Sequence, residues 1–142
     1  FSLDKQWLYH TDSLTRRVVR HRFDVENGEI GEAEPWIDLA EHGLPGVPDG
    51  AAVDSEGNYW CALYGGGQIA KFSDDGRWVE SYPVPCPHPT MVAFGGSDLR
   101  TLFITTATQH LDDSGKRHWP VAGSVFALAA PNKGLAEPIF EG

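Results

Sequence analysis

An internal repeat with a period of about 45 residues constrains the fold of this chain more than any other feature. Residues 1–11 align without a gap with residues 53–63, and a third copy begins at Phe94 after which the turn is two residues longer. Each copy contains the end of an apolar segment, then a polar turn, and then the beginning of a strand with aromatic residues. Because self-similarity at this period marks arrays of supersecondary units, the repeat predicts a propeller or a related array.

Each copy carries the pattern of four short strands joined by tight turns. Asn27-Gly28 and Asp75-Gly76 have the composition of hairpin turns between two such strands. The two later strands of the copies are predicted at residues 17–23 and 34–38, at 68–72 and 78–82, and at 124–128 and 137–140. The chain also holds 16 glycines and 10 prolines, which favours many turns over long helices. Four short strands per repeat are typical of one propeller blade.

The predicted fold is therefore an all-β protein, a β-propeller of four-stranded blades. We expect one domain over residues 1–142, with blades at approximately 1–44, 45–86 and 87–142. The inner strand of the first blade survives only as Phe1, so the chain corresponds to about three blades. A propeller closes with about four to eight blades. We therefore expect that upstream sequence completes the ring or that two chains join.

Charge and cysteine usage limit the partners and the setting. Acidic residues outnumber basic residues by 20 to 11, which gives a net charge of −9. A surface of this sign repels phosphate backbones and anionic lipids, so we expect neither a nucleic acid nor a membrane partner.

The two cysteines do not have the spacing of a metal site. Cys61 fits a core strand, and Cys86 lies between two prolines. Two unpaired cysteines favour a reduced, cytoplasmic location.

The segment around Asp49 is the best candidate for chemistry. Pro48 suits the first residue of a strand or a turn, and Gly50 lets another group approach the backbone closely. These neighbours would hold Asp49 at the mouth of a strand, where a ligand could reach the carboxylate. Pro-Asp-Gly is also a common β-turn sequence, so a plain turn remains an alternative on these residues alone.

Two further residues are candidates for lining a substrate. Thr90 holds in the third copy the place that Asp49 holds in the second, and its hydroxyl could line the mouth or cap its own strand. His110 lies in a long polar insertion, residues 107–123, that could be a binding loop or a mobile surface loop. The six histidines show no pair at helical spacing, which argues against a zinc site. A Gly-x-Ser-x-Gly nucleophile motif is absent.

Several motifs together resemble those of one known family. They are LYHTDSLTRR at residues 8–17, PDGAAVDSEGN at 48–58, GGG at 65–67, PTMVAFGG at 89–96 and GSVFAL at 123–128. The chain resembles the C-terminal half of the senescence marker protein / gluconolactonase / luciferin-regenerating enzyme family, which includes regucalcin. The resemblance implies a six-bladed propeller with one divalent cation at the channel mouth, calcium first, with zinc, magnesium or manganese as alternatives.

The resemblance also implies an activity, the metal-dependent hydrolysis of a small-molecule sugar lactone or related ester. Asp49 would be both a metal ligand and the group that accepts a proton from a metal-activated water. The other protein ligands, a glutamate and an asparagine, are expected before Phe1. Calcium takes about six to eight oxygen ligands, so one carboxylate alone predicts weak or no metal binding.

Two other functions remain open from the sequence. One is a non-catalytic propeller that binds calcium or a protein partner through its face. The other is an inactive half-propeller that self-assembles and keeps the fold without the chemistry. Asp49 favours the lactonase over the binding module, and the missing upstream ligands favour the half-propeller. The fold by itself decides nothing, because propellers host many functions.

Overall fold

The computed structural model describes residues 1–136, and this part of the chain consists of β-strands and one short helix. The strands are β1 (Trp7–Asp12), β2 (Arg17–Asp24), β3 (Glu29–Asp38), β4 (Val47–Val53), β5 (Tyr59–Tyr64), β6 (Gln68–Phe72), β7 (Trp78–Pro83), β8 (Pro89–Gly95), β9 (Thr101–Thr106) and β10 (Val125–Ala129). The helix α1 (Asp113–His118) lies between β9 and β10.

The strands form three antiparallel sheets, each made of consecutive strands. Their orders are β1-β2-β3, β4-β5-β6-β7 and β10-β9-β8. A meander of short antiparallel strands is the construction of a propeller blade, so the predicted all-β fold and blade architecture are confirmed. The strand predicted at 137–140 lies outside the described residues. The single domain and the exact division into blades stay predictions.

Turn chemistry closes the hairpins as the sequence predicts. Gly28 and Gly76 have φ angles of 70° and 84°, a backbone region that residues with a Cβ rarely adopt. Asp12 is the last residue of β1, and its carboxylate accepts hydrogen bonds from the backbone N–H groups of Leu14 (3.1 Å) and Thr15 (3.3 Å). Such local side-chain bonds satisfy backbone donors that no neighbouring strand can reach.

The hydrophobic core consists of two layers, one on each face of the second sheet. Because side chains alternate along a strand, Tyr59, Cys61 and Leu63 of β5 pack toward the first sheet, with Val18 and Ile37. The intervening residues of β5 pack toward the third sheet, in a layer that also contains Ile69, Val92, Leu102 and Ile104. The second sheet is thus buried on both faces, as a blade between two other blades must be.

Sheet stacking brings the inner strands β4 and β8 together. Gly50 of β4 lies against the backbone of β8, because a Cβ built on Gly50 would be 2.7 Å from the Thr90 carbonyl oxygen and 2.9 Å from the Met91 Cα. The sequence predicted a close approach at Gly50, and the group that approaches is the neighbouring strand. Glycine therefore serves here to let two inner strands meet.

Residues 107–123, predicted as an irregular loop, contain the helix α1. Asp112 caps this helix, and its carboxylate accepts a hydrogen bond of 2.7 Å from the Gly115 N–H. A six-residue helix has little periodicity to detect in a sequence, which explains why the pattern did not reveal it. Within residues 1–136, no helix is long and apolar enough to cross a membrane.

Candidate functional site

Asp49 lies in a β-bulge near the beginning of β4. Pro48 pairs with Leu63 and Ala51 pairs with Cys61, so Asp49 and Gly50 together stand opposite a single residue of β5. The Asp49 carbonyl oxygen accepts weak hydrogen bonds from the Thr11 hydroxyl (3.4 Å) and the Cys61 thiol (3.9 Å). The Pro-Asp-Gly sequence is thus part of a strand, and the plain-turn alternative is wrong. Bulges of this kind re-aim a side chain beside a strand.

The half-buried Asp49 side chain lies beside a cleft of about 630 Å³. The walls come from β1, from the inner strands β4 and β8, and from the first residues of the chain. They include Tyr9, Ala51, Val53, Met91 and Phe94. Among the described residues that line the cleft, Asp49 is the only carboxylate. A small number of polar groups in a mostly apolar cleft is the usual composition of a small-molecule site.

Burial changes the chemistry of the Asp49 carboxyl group. Removal of water around the carboxylate raises its pKa above the ordinary value of 3.8, and a hydrogen bond with the Gly50 backbone partly opposes this change. A carboxylate that water solvates poorly gains more from binding a proton or a cation. Asp49 therefore has the properties of a proton acceptor or of a cation ligand.

An aromatic cluster lies at the same end of the sheets. The rings of Tyr64 and His88 stack with a centroid distance of 4.3 Å and an interplanar angle of 4°. The Tyr64 hydroxyl lies 2.9 Å from the His110 Nδ1 and 3.1 Å from the Gln109 carbonyl oxygen. Desolvation and the negative charge of Asp49 raise the pKa of Tyr64. The cluster and Asp49 are thus close enough to interact electrostatically.

Thr90 and His110 lie beside the cleft rather than in its walls. The Thr90 hydroxyl is 2.7 Å from the Thr105 hydroxyl of the neighbouring strand β9, a cross-strand contact rather than a cap of its own strand. His110 is exposed and contacts Tyr64 from the insertion between β9 and β10. Their roles in substrate binding remain predictions. Sequence reasoning missed Tyr64 and His88. Tyr64 pairs with Val47, two residues before Asp49. Aligning β4 with β5 as a hairpin would therefore have placed Tyr64 near the carboxylate.

A divalent cation does not find a complete ligand set in the described part of the chain. Residues 1–136 contain no cluster of three or more histidine, cysteine, aspartate or glutamate side chains that could hold a metal ion. Asp49 offers one carboxylate, whereas calcium takes about six to eight oxygen ligands. These residues alone therefore do not fit the cation that the family resemblance implies.

Comparison with known proteins decides the family. The model of the SMP-30/gluconolactonase/LRE-like region matches residues 1–108. The chain belongs to this family. The predicted resemblance is thereby confirmed, and the three sheets correspond to blades of the six-bladed propeller of the family.

The relatives of this family member include several lactonases. A 6-deoxy-6-sulfogluconolactonase of Pseudomonas putida is 42% identical over 142 residues, which are 100% of this chain and 48% of that protein. A pentonolactonase of Haloferax volcanii is 35% identical over 141 residues, which cover 96% of this chain and 48% of that protein.

A solved structure supports the same assignment. The calcium-binding protein regucalcin from Agrobacterium tumefaciens superposes with a TM-score of 0.91 and 35% sequence identity, over 99% of this chain and 48% of that one. This member of the SMP-30/gluconolactonase/LRE-like family therefore spans about half the length of the curated relatives that it matches.

Proposed function

We propose that this protein hydrolyses a sugar lactone or a related ester, and that Asp49 is the proton acceptor and a metal ligand of the reaction. The observation that carries the proposal is the position of Asp49, a half-buried carboxylate on a bulged inner strand beside a mostly apolar cleft. The lactonases among its relatives support the reaction class.

The proposed reaction needs one group that moves a proton between water and the lactone. Asp49 accepts a proton from the attacking water while the water oxygen bonds to the carbonyl carbon of the lactone. The bond between the carbonyl carbon and the ring oxygen then breaks, and Asp49 returns the proton to that oxygen. The product is the open hydroxy acid. Burial of Asp49 favours this exchange because it brings the pKa of the carboxyl group closer to the working pH.

A divalent cation forms the second part of the proposal. Asp49 would supply one oxygen ligand, and the remaining protein ligands would come from residues before Phe1, as the family resemblance implies. Calcium is our first choice because the Agrobacterium relative is a calcium-binding protein. The described residues form only part of the cation site.

The test compares the full protein with Asp49→Asn in a pH-stat assay of gluconolactone and pentonolactone hydrolysis. Loss of a general acid–base group should lower kcat about 100-fold or more. Glu41→Gln is the matched control, because it removes one negative charge at an exposed position away from the cleft. Activity of Asp49→Asn within threefold of the wild type would contradict the proposed role of Asp49.

Metal dependence needs its own measurement. We expect activity to fall after treatment with a chelator and to return when calcium is added. Undiminished activity in the chelator would disprove metal dependence and leave lactone hydrolysis standing.

If the wild type binds calcium in a calorimeter but hydrolyses no lactone, the protein is a non-catalytic calcium-binding propeller and not an enzyme. The mass in solution, measured by light scattering, tests self-association separately.

A further inference from the structure

The contact between Tyr64 and His110 joins two parts of the chain that are 46 residues apart. Tyr64 is the last residue of β5, whereas His110 lies in the insertion of residues 107–123, shortly before α1. The Tyr64 hydroxyl lies within hydrogen-bond distance of both the His110 Nδ1 (2.9 Å) and the Gln109 carbonyl oxygen (3.1 Å). The ring of His88 stacks on the ring of Tyr64, and the His88 and His110 ring centroids are 6.5 Å apart.

The hydrogen-bond chemistry of this contact fixes the tautomer of His110. A phenol has a single proton, and a carbonyl oxygen can only accept. If both bonds form, the Tyr64 hydroxyl donates to Gln109, so the His110 Nδ1 must carry a hydrogen and donate to the Tyr64 oxygen. A neutral imidazole then has its lone pair on Nε2. Since the His110 ring is exposed, Nε2 is available to accept a hydrogen bond from a ligand.

The backbone at His110 supports a built contact rather than a chance one. Its φ angle is 65°, in the left-handed region that only a few per cent of residues other than glycine adopt, histidine among the more frequent of them. Such a conformation persists where surrounding contacts hold it. The Ala107 N–H adds another tie, since it donates a hydrogen bond of 2.9 Å to the His88 carbonyl oxygen.

The insertion begins at the Asp49 end of the sheets. Tyr64 pairs with Val47 across β4 and β5, two residues before Asp49. His88 directly precedes β8, and two residues later the Thr90 carbonyl lies against Gly50. The Tyr64–His110 contact therefore lies at the rim of the strands that carry the carboxylate, although His110 is not part of the cleft wall.

We infer that His110 is a specificity-determining residue whose Nε2 accepts a hydrogen bond from a hydroxyl group of the bound sugar lactone, and that Tyr64 is the positioning residue that sets its tautomer and place. This inference rests on the proposed lactone hydrolysis. It predicts a preference for lactones that carry hydroxyl groups, because a lactone without them has nothing to donate to Nε2.

Two variants separate the two roles in the full protein. His110→Asn keeps a side-chain N–H near the Nδ1 position and tolerates the positive φ angle, but it lacks the Nε2 acceptor. Tyr64→Phe keeps the ring that stacks on His88 and removes only the hydroxyl. Each variant is assayed on gluconolactone and on δ-valerolactone, which has the same ring size without the hydroxyl groups.

Loss of one neutral hydrogen bond should raise KM for gluconolactone about three- to tenfold in both variants and leave kcat/KM for δ-valerolactone unchanged. Amide hydrogen exchange should quicken at residues 107–111 in Tyr64→Phe and stay near the wild-type rate in His110→Asn. A merely structural role of the contact would change both substrates alike. Equal changes for the two lactones, or no change for either, would overturn the inference while the lactonase proposal stands.

A wild type without lactonase activity would defeat the proposed function, and a second measurement then judges the inference. Calorimetric binding of gluconate, the open hydroxy acid, does not depend on turnover. A threefold or greater loss of gluconate affinity in His110→Asn supports the acceptor role of Nε2. Unchanged affinity, or no gluconate binding by the wild type, refutes it.

Discussion

Gly50 of β4 and Met91 of β8 meet so closely that an added Cβ on Gly50 would lie 2.9 Å from the Met91 Cα. The contact joins the inner strands of two sheets at the residue next to Asp49. It therefore links the packing of the blades to the placement of the candidate catalytic carboxylate.

Gly50→Ala should destabilise the protein because β8 has no room for the methyl group. Overpacking of this kind costs about 1–3 kcal/mol of unfolding free energy. We expect lactonase activity to fall as well, since the bulge that aims Asp49 must shift. Urea unfolding measures the first effect, and kcat/KM measures the second.

Gly31→Ala is the matched control for Gly50→Ala. Gly31 is an exposed strand glycine, and the nearest atom to its added Cβ is the Arg22 Cβ at 3.3 Å. A stability loss at Gly50 no larger than the loss at Gly31 would contradict the close contact between β4 and β8.

Asp54 should be the most costly carboxylate to remove from the second sheet. It is fully buried, and it accepts hydrogen bonds from the Glu56 and Asn58 backbone N–H groups, from the Asn58 amide and from the Trp60 indole N–H. Asp54→Ala leaves these donors without an acceptor and should lower the unfolding free energy by about 3 kcal/mol or more.

The same urea experiment on Asp12→Ala provides the comparison for Asp54. Asp12 braces a turn through two backbone N–H groups near the surface, where water can replace it. We expect a loss of about 1 kcal/mol. Equal losses at the two positions would show that burial does not set the strength of the Asp54 network.

The pH dependence of stability should reveal the buried carboxyl group of Asp49. In the metal-free protein its folded pKa is raised above the ordinary value of 3.8 by desolvation, so the folded state holds the proton more tightly than the unfolded state. Wild-type stability then decreases as the pH rises from 3.8 through the raised pKa, and Asp49→Asn lacks this decrease.

The measurement for Asp49 is urea unfolding in a chelator at a series of pH values. The difference in unfolding free energy, Asp49→Asn minus wild type, should increase with pH above 3.8 and become constant above the folded pKa. A difference that does not change with pH, or one that decreases, would rule out a desolvated carboxyl group at this position.

Thr90→Val tests whether the Thr90 hydroxyl contacts the substrate. Because this hydroxyl is already paired with the Thr105 hydroxyl at 2.7 Å, we expect KM for gluconolactone to change less than threefold. Thr105→Val removes the partner and should have a similar small effect. An increase in KM of tenfold or more in Thr90→Val alone would instead support the predicted contact of Thr90 with the substrate.

Much of the architecture could be predicted from the sequence because it depends on local patterns. Alternating strands, Asn-Gly and Asp-Gly turns and a period of about 45 residues recur along the chain, and each acts over a few residues. The same patterns placed Asp49 at the mouth of an inner strand. The family followed from motifs that are continuous in sequence, such as residues 48–58.

Only the tertiary structure decided how the site is assembled. The bulge at Asp49 depends on the register between β4 and β5, and that register is fixed by which side chains the two strands bury. The partner of Gly50 belongs to another sheet, and the tautomer of His110 depends on Tyr64, which is 46 residues away in the chain. The sequence by itself thus determined the blades, the turns and the candidate carboxylate. Packing between blades determined what each of those residues contacts, because such contacts join segments that are distant in sequence.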